Sequence, residues 1–283
     1  MKNPIYVFAV CFAMFTISSC RNERKSEANN IEFSKYTVDS TYHLFGDAGK
    51  PAINIHLSMH YPVKYKNSAV LDSLQRLVIT EVTSNSNQTL RNPEEAMRNF
   101  IAQQIAEYRL LEKDYETILS MRYGEYNVTP TSFANQYTGE EDNVFDKDGI
   151  LCFSNNVFRY TGGAHGVESV KYMCVDLDNG TIITGKDLFV DNYEAILSPI
   201  ILERLAQKQK VNSPKELEKN GFFDISDIKP NNNFYLNEKG ITYVYNPYEI
   251  AAYFVGISEV FIPYEDIDFI LAKQSPVKRI ASK

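Results

Sequence analysis

Few residues of this 283-residue chain have the types and spacing that chemistry needs. Its four histidines are His43, His56, His60 and His165. His56 and His60 stand four apart, the interval at which two imidazoles on a helix share a zinc ion in an HExxH motif. Leu57, Ser58 and Met59 lie between them with no Glu, and the neighbouring residues alternate as in a strand. Four strand residues span about 13 Å at ~3.3 Å each, too far for one zinc with bonds of ~2.0–2.1 Å. A solvated strand face is the expectation, and no metal. The acids Glu140, Glu141 and Asp142, with Asp146 and Asp148, fall in GEEDNVFDKDG. That segment reads as a solvated loop and lacks the spaced ligands and terminal Glu of a calcium loop. No GxSxG nucleophile motif occurs. No catalytic residue and no cofactor are identified.

Cys152 and Cys174 lie in two β-rich runs on either side of Gly162-Gly163, each eleven residues from Gly163. A hairpin centred on the glycines makes the two cysteines direct cross-strand neighbours, with Cβ atoms ~4.5–5.5 Å apart. A slight approach allows a disulfide. Two buried thiols packing as small apolar groups are the other reading. Neither cysteine has an activating partner nearby in sequence.

The turn between those strands is Tyr160-Thr161-Gly162-Gly163-Ala164-His165-Gly166. It is no phosphate loop, because the following Lys-Ser/Thr and helix are missing. Two roles fit it. The glycines could permit left-handed backbone in a tight hairpin, with His165 bonded to nearby backbone. Alternatively, the turn presents His165 and Tyr160 to a ligand. A second segment, Asn246-Pro247-Tyr248-Glu249, reads as a turn, since Pro fixes its own φ and keeps its predecessor extended. Tyr243, Tyr245, Tyr248, Tyr253 and Tyr264 read as core edges, or as a glycan- or protein-facing surface, because Tyr joins apolar area to a polar tip.

The elements that must position these residues are legible in part. Residues 31–45 mix β-branched and aromatic residues, as a strand does. In 51–65, Ile53, Ile55, Leu57, Met59 and Tyr61 alternate with polar residues, as in a half-buried strand. Asn67-Ser68 starts a helix over 69–84, and Asn92-Pro93-Glu94-Glu95 starts another reaching about 117. Strands are expected at 118–137, 149–160, 167–177, 233–237, 240–246 and 257–263, and helices at 191–208 and 264–272. The fold class is α+β: antiparallel sheets with helices packed on one face, in two similar-sized lobes.

Residues 1–19 read as a secretory leader: Lys2, an apolar run from Ile5 to Ile17, then Ser18 and Ser19. The run is shorter than the ~20 residues of a spanning helix. Ile17-Ser18-Ser19-Cys20 has the form of a lipobox, making Cys20 the lipid-attachment residue and the membrane a partner through that lipid. Arg21, in place of the Asp that retains enteric lipoproteins at the inner membrane, favours the outer membrane. Residues 20–34 form a flexible tether. The whole chain has 29 basic and 36 acidic residues. Removing Lys2 with the leader leaves 28 against 36, a net of −8. That balance excludes a nucleic-acid partner, which calls for a basic face.

The two segments Tyr160–Gly166 and Tyr245–Ala251, followed by Gly256 and Val260-Phe261-Ile262-Pro263-Tyr264, carry a family resemblance. In this order they resemble the C-terminal domain of RsiV-type anti-sigma factors. By position and layout, 35–142 resembles the domain at the N-terminal side of PdaC-type deacetylases. The chain thus resembles the RsiV/PdaC-like exported proteins, as a Bacteroides-type lipoprotein, with domains at 35–142 and 143–283. The resemblance implies a cell-envelope protein. The RsiV extracytoplasmic part binds lysozyme, and PdaC owes its chemistry to a separate deacetylase domain that this chain lacks. The expected function is a lipid-anchored, non-catalytic envelope binding module for a lysozyme-like protein or for peptidoglycan. Alternatives are an envelope glycan- or peptide-modifying enzyme using His165 with nearby acids, and a structural scaffold.

Overall fold

In the computed structural model, the described residues are 27–84, 91–120 and 130–281. Cys20 and the leader lie outside them.

The chain forms a mixed α+β fold around a six-stranded sheet. Its strands, in spatial as well as chain order, are β1 (Glu32–His43), β2 (Ala52–Lys64), β3 (Asn135–Lys147), β4 (Ile150–Tyr160), β5 (Val167–Asp176) and β6 (Thr181–Ile182). Between β2 and β3 come α1 (Ser68–Thr83), α2 (Pro93–Arg109) and α3 (Leu111–Ser120). Asn67 caps α1 by accepting from the Ala69 and Val70 amides, and Asn92 caps α2 by accepting from Glu95. Ile53, Ile55, Leu57, Met59 and Tyr61 all bury their side chains in the core that α1 and α2 complete.

After β6 come α4 (Gly185–Leu188), α5 (Tyr193–Lys208) and a three-stranded antiparallel sheet of β7 (Phe234–Leu236), β8 (Gly240–Tyr245) and β9 (Ser258–Pro263). This part packs on the opposite face of β4 and β5. The runs Ile150–Phe153 and Met173–Val175 are therefore apolar on both faces, as in any strand covered twice. Leu151, Phe153, Met173 and Val175 enter the helix-side core. Ile150, Cys152 and Cys174 enter the other, with Phe234, Ile241 and Leu197. Cys152 lies opposite Cys174 in the β4–β5 register, and their sulfurs are bonded.

The structure departs from, or refines, the expectation at several points. GEEDNVFDKDG is not a loop: residues up to Lys147 belong to β3, and only Asp148-Gly149 turn. β4 pairs with this polar segment as far as Lys147 and β2 with its first two residues, and such pairing overrides weak local strand propensity. A division after residue 142 would cut β3 inside the sheet. The β2–β3 pair is parallel within an otherwise antiparallel sheet, which the helical crossover between them permits. Residues 264–272 form two short 3₁₀ turns rather than a helix. Residues 118–120 end α3, and the start of the strand expected at 118–137 falls partly outside the described residues.

Candidate functional site

The two singled-out segments meet at one end of the molecule. Tyr160 to Gly166 closes the β4–β5 hairpin. Gly162 has φ +85°, and a Cβ there would lie 2.1 Å from the Ser132 carbonyl oxygen, so the turn requires glycine twice over. Tyr160 donates its hydroxyl to the Gly163 carbonyl at 2.9 Å, inside the loop. Thr161 and Gly163 are exposed. His165 is exposed too, with Nδ1 3.2 Å from the Gly166 carbonyl, and its ring lies flat on Tyr253 at 4.0 Å between centroids. The Tyr253 hydroxyl donates to the same Gly166 carbonyl at 2.8 Å.

Asn246-Pro247-Tyr248-Glu249 makes a turn closed by the Glu249 amide donating to the Asn246 carbonyl. Pro at the second position and a left-handed residue at the third is the type II pattern, where Gly or Asn is the ordinary occupant. Here the third residue is Tyr248, with φ +69°. Tyr248 is 56% exposed, and its ring stacks on Tyr253 at 5.8 Å. His165, Tyr253 and Tyr248 thus form a ladder of three rings. Phe254, 76% exposed, lies over Gly221, whose segment 221–223 pairs with 250–252 through the Phe222–Ala251 bridge.

The other half of the same turn seals a sheet edge. Asn246 accepts from the Val170 amide at 2.8 Å and donates to its carbonyl at 3.1 Å. Asn233 accepts from the Tyr172 amide and donates to the Val170 carbonyl. These amide side chains supply what a neighbouring strand would give the outer edge of β5, an edge otherwise open to foreign strands. Farther along, the amide of Ile183, just after β6, donates to the Cys174 carbonyl. Glu249 holds the turn by accepting from the Asn246 amide and from Asn231.

Next to this edge lies a groove of about 520 Å³, lined by Asn155, Asn232, Asn233, Asn246 and Glu249 among others. Asn155 is 6% exposed and donates to the Glu81 carbonyl, while its Oδ1 has no partner among the described residues. Glu81 is paired with Lys171 at 2.7 Å.

The remaining candidates lie elsewhere. Tyr243, Tyr245 and Tyr264 are buried core residues. Burial pushes their hydroxyls well above the usual tyrosine range. His43 contacts the Lys50 carbonyl. His56 sits 2.7 Å from Asp39 and 3.7 Å from Glu140, and His60 3.6 Å from Asp142, all on the sheet face away from α1. Among the described residues no three His, Cys, Asp or Glu side chains converge as metal ligands. Glu141 is 2% exposed, and its Oε2 accepts from the His60 amide at 2.5 Å where the β2–β3 ladder ends. Burial pushes this carboxyl up to about 8.

Tyr248 was legible as part of a turn but not as a left-handed residue, and Asn155, Phe223 and Phe254 carried no signal. The run Asn231-Asn232-Asn233 after Pro230 was the one available pointer to the edge cap.

Known proteins match this chain in two comparisons. No curated protein is similar to it. A crystal structure of a member of the DUF3298 family from Bacteroides fragilis superposes with a TM-score of 0.83 at 29% identity, covering 91% of this chain and 100% of that one. A DUF3298 family protein from Pseudomonas aeruginosa, at 16% identity and a TM-score of 0.52, covers 89% of this chain and 97% of that one, and shares the fold. The matching family model, described as a protein of unknown function, takes in the 246–249 turn and Tyr253 but stops short of the 160–166 hairpin. The part of this chain that the DUF3298 family model matches is residues 186–265.

Proposed function

We propose that this chain is a lipid-anchored binding module of the cell envelope, attached through Cys20 and non-catalytic, in the manner the RsiV/PdaC-like resemblance implies. Its ligand is a lysozyme-like protein or cell-wall glycan. One observation carries the reading: the two distinctive segments converge on an exposed ring ladder beside an amide-lined groove. Exposed aromatic clusters of this kind mark recognition surfaces. The residues of the leader and lipobox support the anchoring, and no helix among the described residues is long and apolar enough to cross a membrane. His165 stacks on Tyr253 and faces a backbone carbonyl, with no carboxylate bonded to it among the described residues. That arrangement suits a recognition surface better than an acid–base pair, which needs proton-transfer reach. The net charge of −8 would speed encounter with a basic partner.

Calorimetric titration of the purified chain with a lysozyme and with soluble peptidoglycan fragments tests the reading. Binding of either is expected, and binding of neither overturns it. Metabolic labelling with a radioactive fatty acid is expected to mark the wild type and not a Cys20→Ala variant; an unlabelled wild type would remove the anchor.

A further inference from the structure

We infer that the groove beside the 246–249 turn is a binding site for a neutral saccharide, with Tyr248 as its stacking platform. The inference rests on the binding-module reading and names the ligand class of that same surface.

Three independent features point to it. The first is the chemistry of the lining. Asn155, Asn232, Asn233 and Asn246 surround a concavity of about 520 Å³, within the ~300–1,000 Å³ range of small-ligand sites. Glu81 pairs with Lys171, and Glu249 keeps its negative charge while both its oxygens accept hydrogen bonds, from Asn231 and from the Asn246 amide. Amides beside a carboxylate whose oxygens are already engaged offer hydrogen bonds to hydroxyl groups and repel an anion.

The second is Asn155. Its Oδ1 is a buried acceptor with no donor among the described residues, at a residue lining the groove. Buried polar atoms are rarely left unpaired, and each exception calls for an explanation. A ligand hydroxyl supplies the donor.

The third is Tyr248. A bulky residue with positive φ is a backbone outlier, and such outliers gather at ligand clamps. Glycine or asparagine would sit there without strain. The turn instead holds a Tyr, 56% exposed, whose ring stacks on Tyr253, itself stacked on His165. Asn246 and Glu249, on either side of Tyr248 in the same turn, both line the groove. A saccharide has what this arrangement complements: an apolar ring face for the tyrosine and a rim of hydroxyls for the amides.

The test is calorimetry on the intact purified protein with two neutral probes, N-acetylchitotetraose and maltotetraose, and with a lysozyme in parallel. Saturable binding of at least one saccharide is expected. Tyr248→Gly, which suits the left-handed backbone, is expected to weaken that binding roughly tenfold while the thermal midpoint holds. Asn155→Ala is expected to weaken it as well, and Tyr248→Gly keeps the test decisive should Asn155→Ala fail to fold. The inference is overturned if neither saccharide binds, or if Tyr248→Gly binds as tightly as the wild type. Lysozyme binding without saccharide binding would overturn the saccharide site and leave the binding-module reading standing; absence of all three would end both.

Discussion

Tyr248 and Glu141 each hold a conformation or a charge state that a stability-driven choice would avoid. A left-handed non-glycine residue costs about 1 kcal/mol or more, while an aromatic stack returns ~0.5–1.5 kcal/mol. Tyr248→Asn is therefore expected to leave the thermal midpoint within a few degrees of wild type, although it removes a large side chain. A loss well beyond that in a melting curve would mean that the ring is a structural strut. At Glu141, burial disfavours the carboxylate, so the folded protein keeps its proton up to about pH 8, while the unfolded chain loses it near 4.5. Between those values the native state binds more protons, so stability falls as pH rises, by up to ~1.4 kcal/mol per pH unit from this group. Glu141→Gln keeps an acceptor for the His60 amide and removes the titration. Its stability advantage over wild type in urea melts is expected to widen from pH 5 to pH 8; an advantage that does not change with pH would show that Glu141 ionises normally.

At the scale of elements, the β4–β5 hairpin is held at its turn, its cysteine pair and its outer edge. Gly162→Ala forces a methyl group against the Ser132 carbonyl and adds left-handed strain, for an expected loss of roughly 2–3 kcal/mol in denaturant unfolding. The Cys152–Cys174 bond closes a span of 22 residues. Replacing both by Ala is expected to cost on the order of 3 kcal/mol and to abolish the effect of dithiothreitol on the melting curve; a wild type indifferent to reductant would argue for free thiols. The hairpin centre and the cysteine pairing could be argued from spacing, because hairpin register is local arithmetic. The strand character of β3 could not: its Glu140, Glu141, Asp142 and Asn143 have no strand preference, and their ladder comes from Ser58 of β2, opposite Glu140, and from Phe153 to Asn156 of β4.

For the molecule as a whole, β4 and β5 belong to two cores at once. The side chains of Leu151 and Phe153 close the helix-side core, while Ile150 and the cysteine pair close the core shared with β7, β8 and α5. Arg279 near the C-terminus bonds Asp176 and Asp178 at the far end of β5. A fragment of residues 143–283 would begin inside β3 and lose that strand's ladder with β4. It is expected to give poorly dispersed amide NMR spectra; a well-dispersed spectrum would show that the C-terminal part folds alone.

Patterns that act over a few residues were readable in the linear chain. The alternation of Ile53 to Tyr61, the caps Asn67 and Asn92, and the turns at Gly162 and Pro247 follow from side-chain period and backbone sterics, which are local. The parallel β2–β3 pair, the left-handed Tyr248 on its ring ladder and the amide cap on β5 depend on residues 60 to 90 positions apart. Those meetings are settled by how two cores pack on one sheet, and no short-range periodicity encodes them.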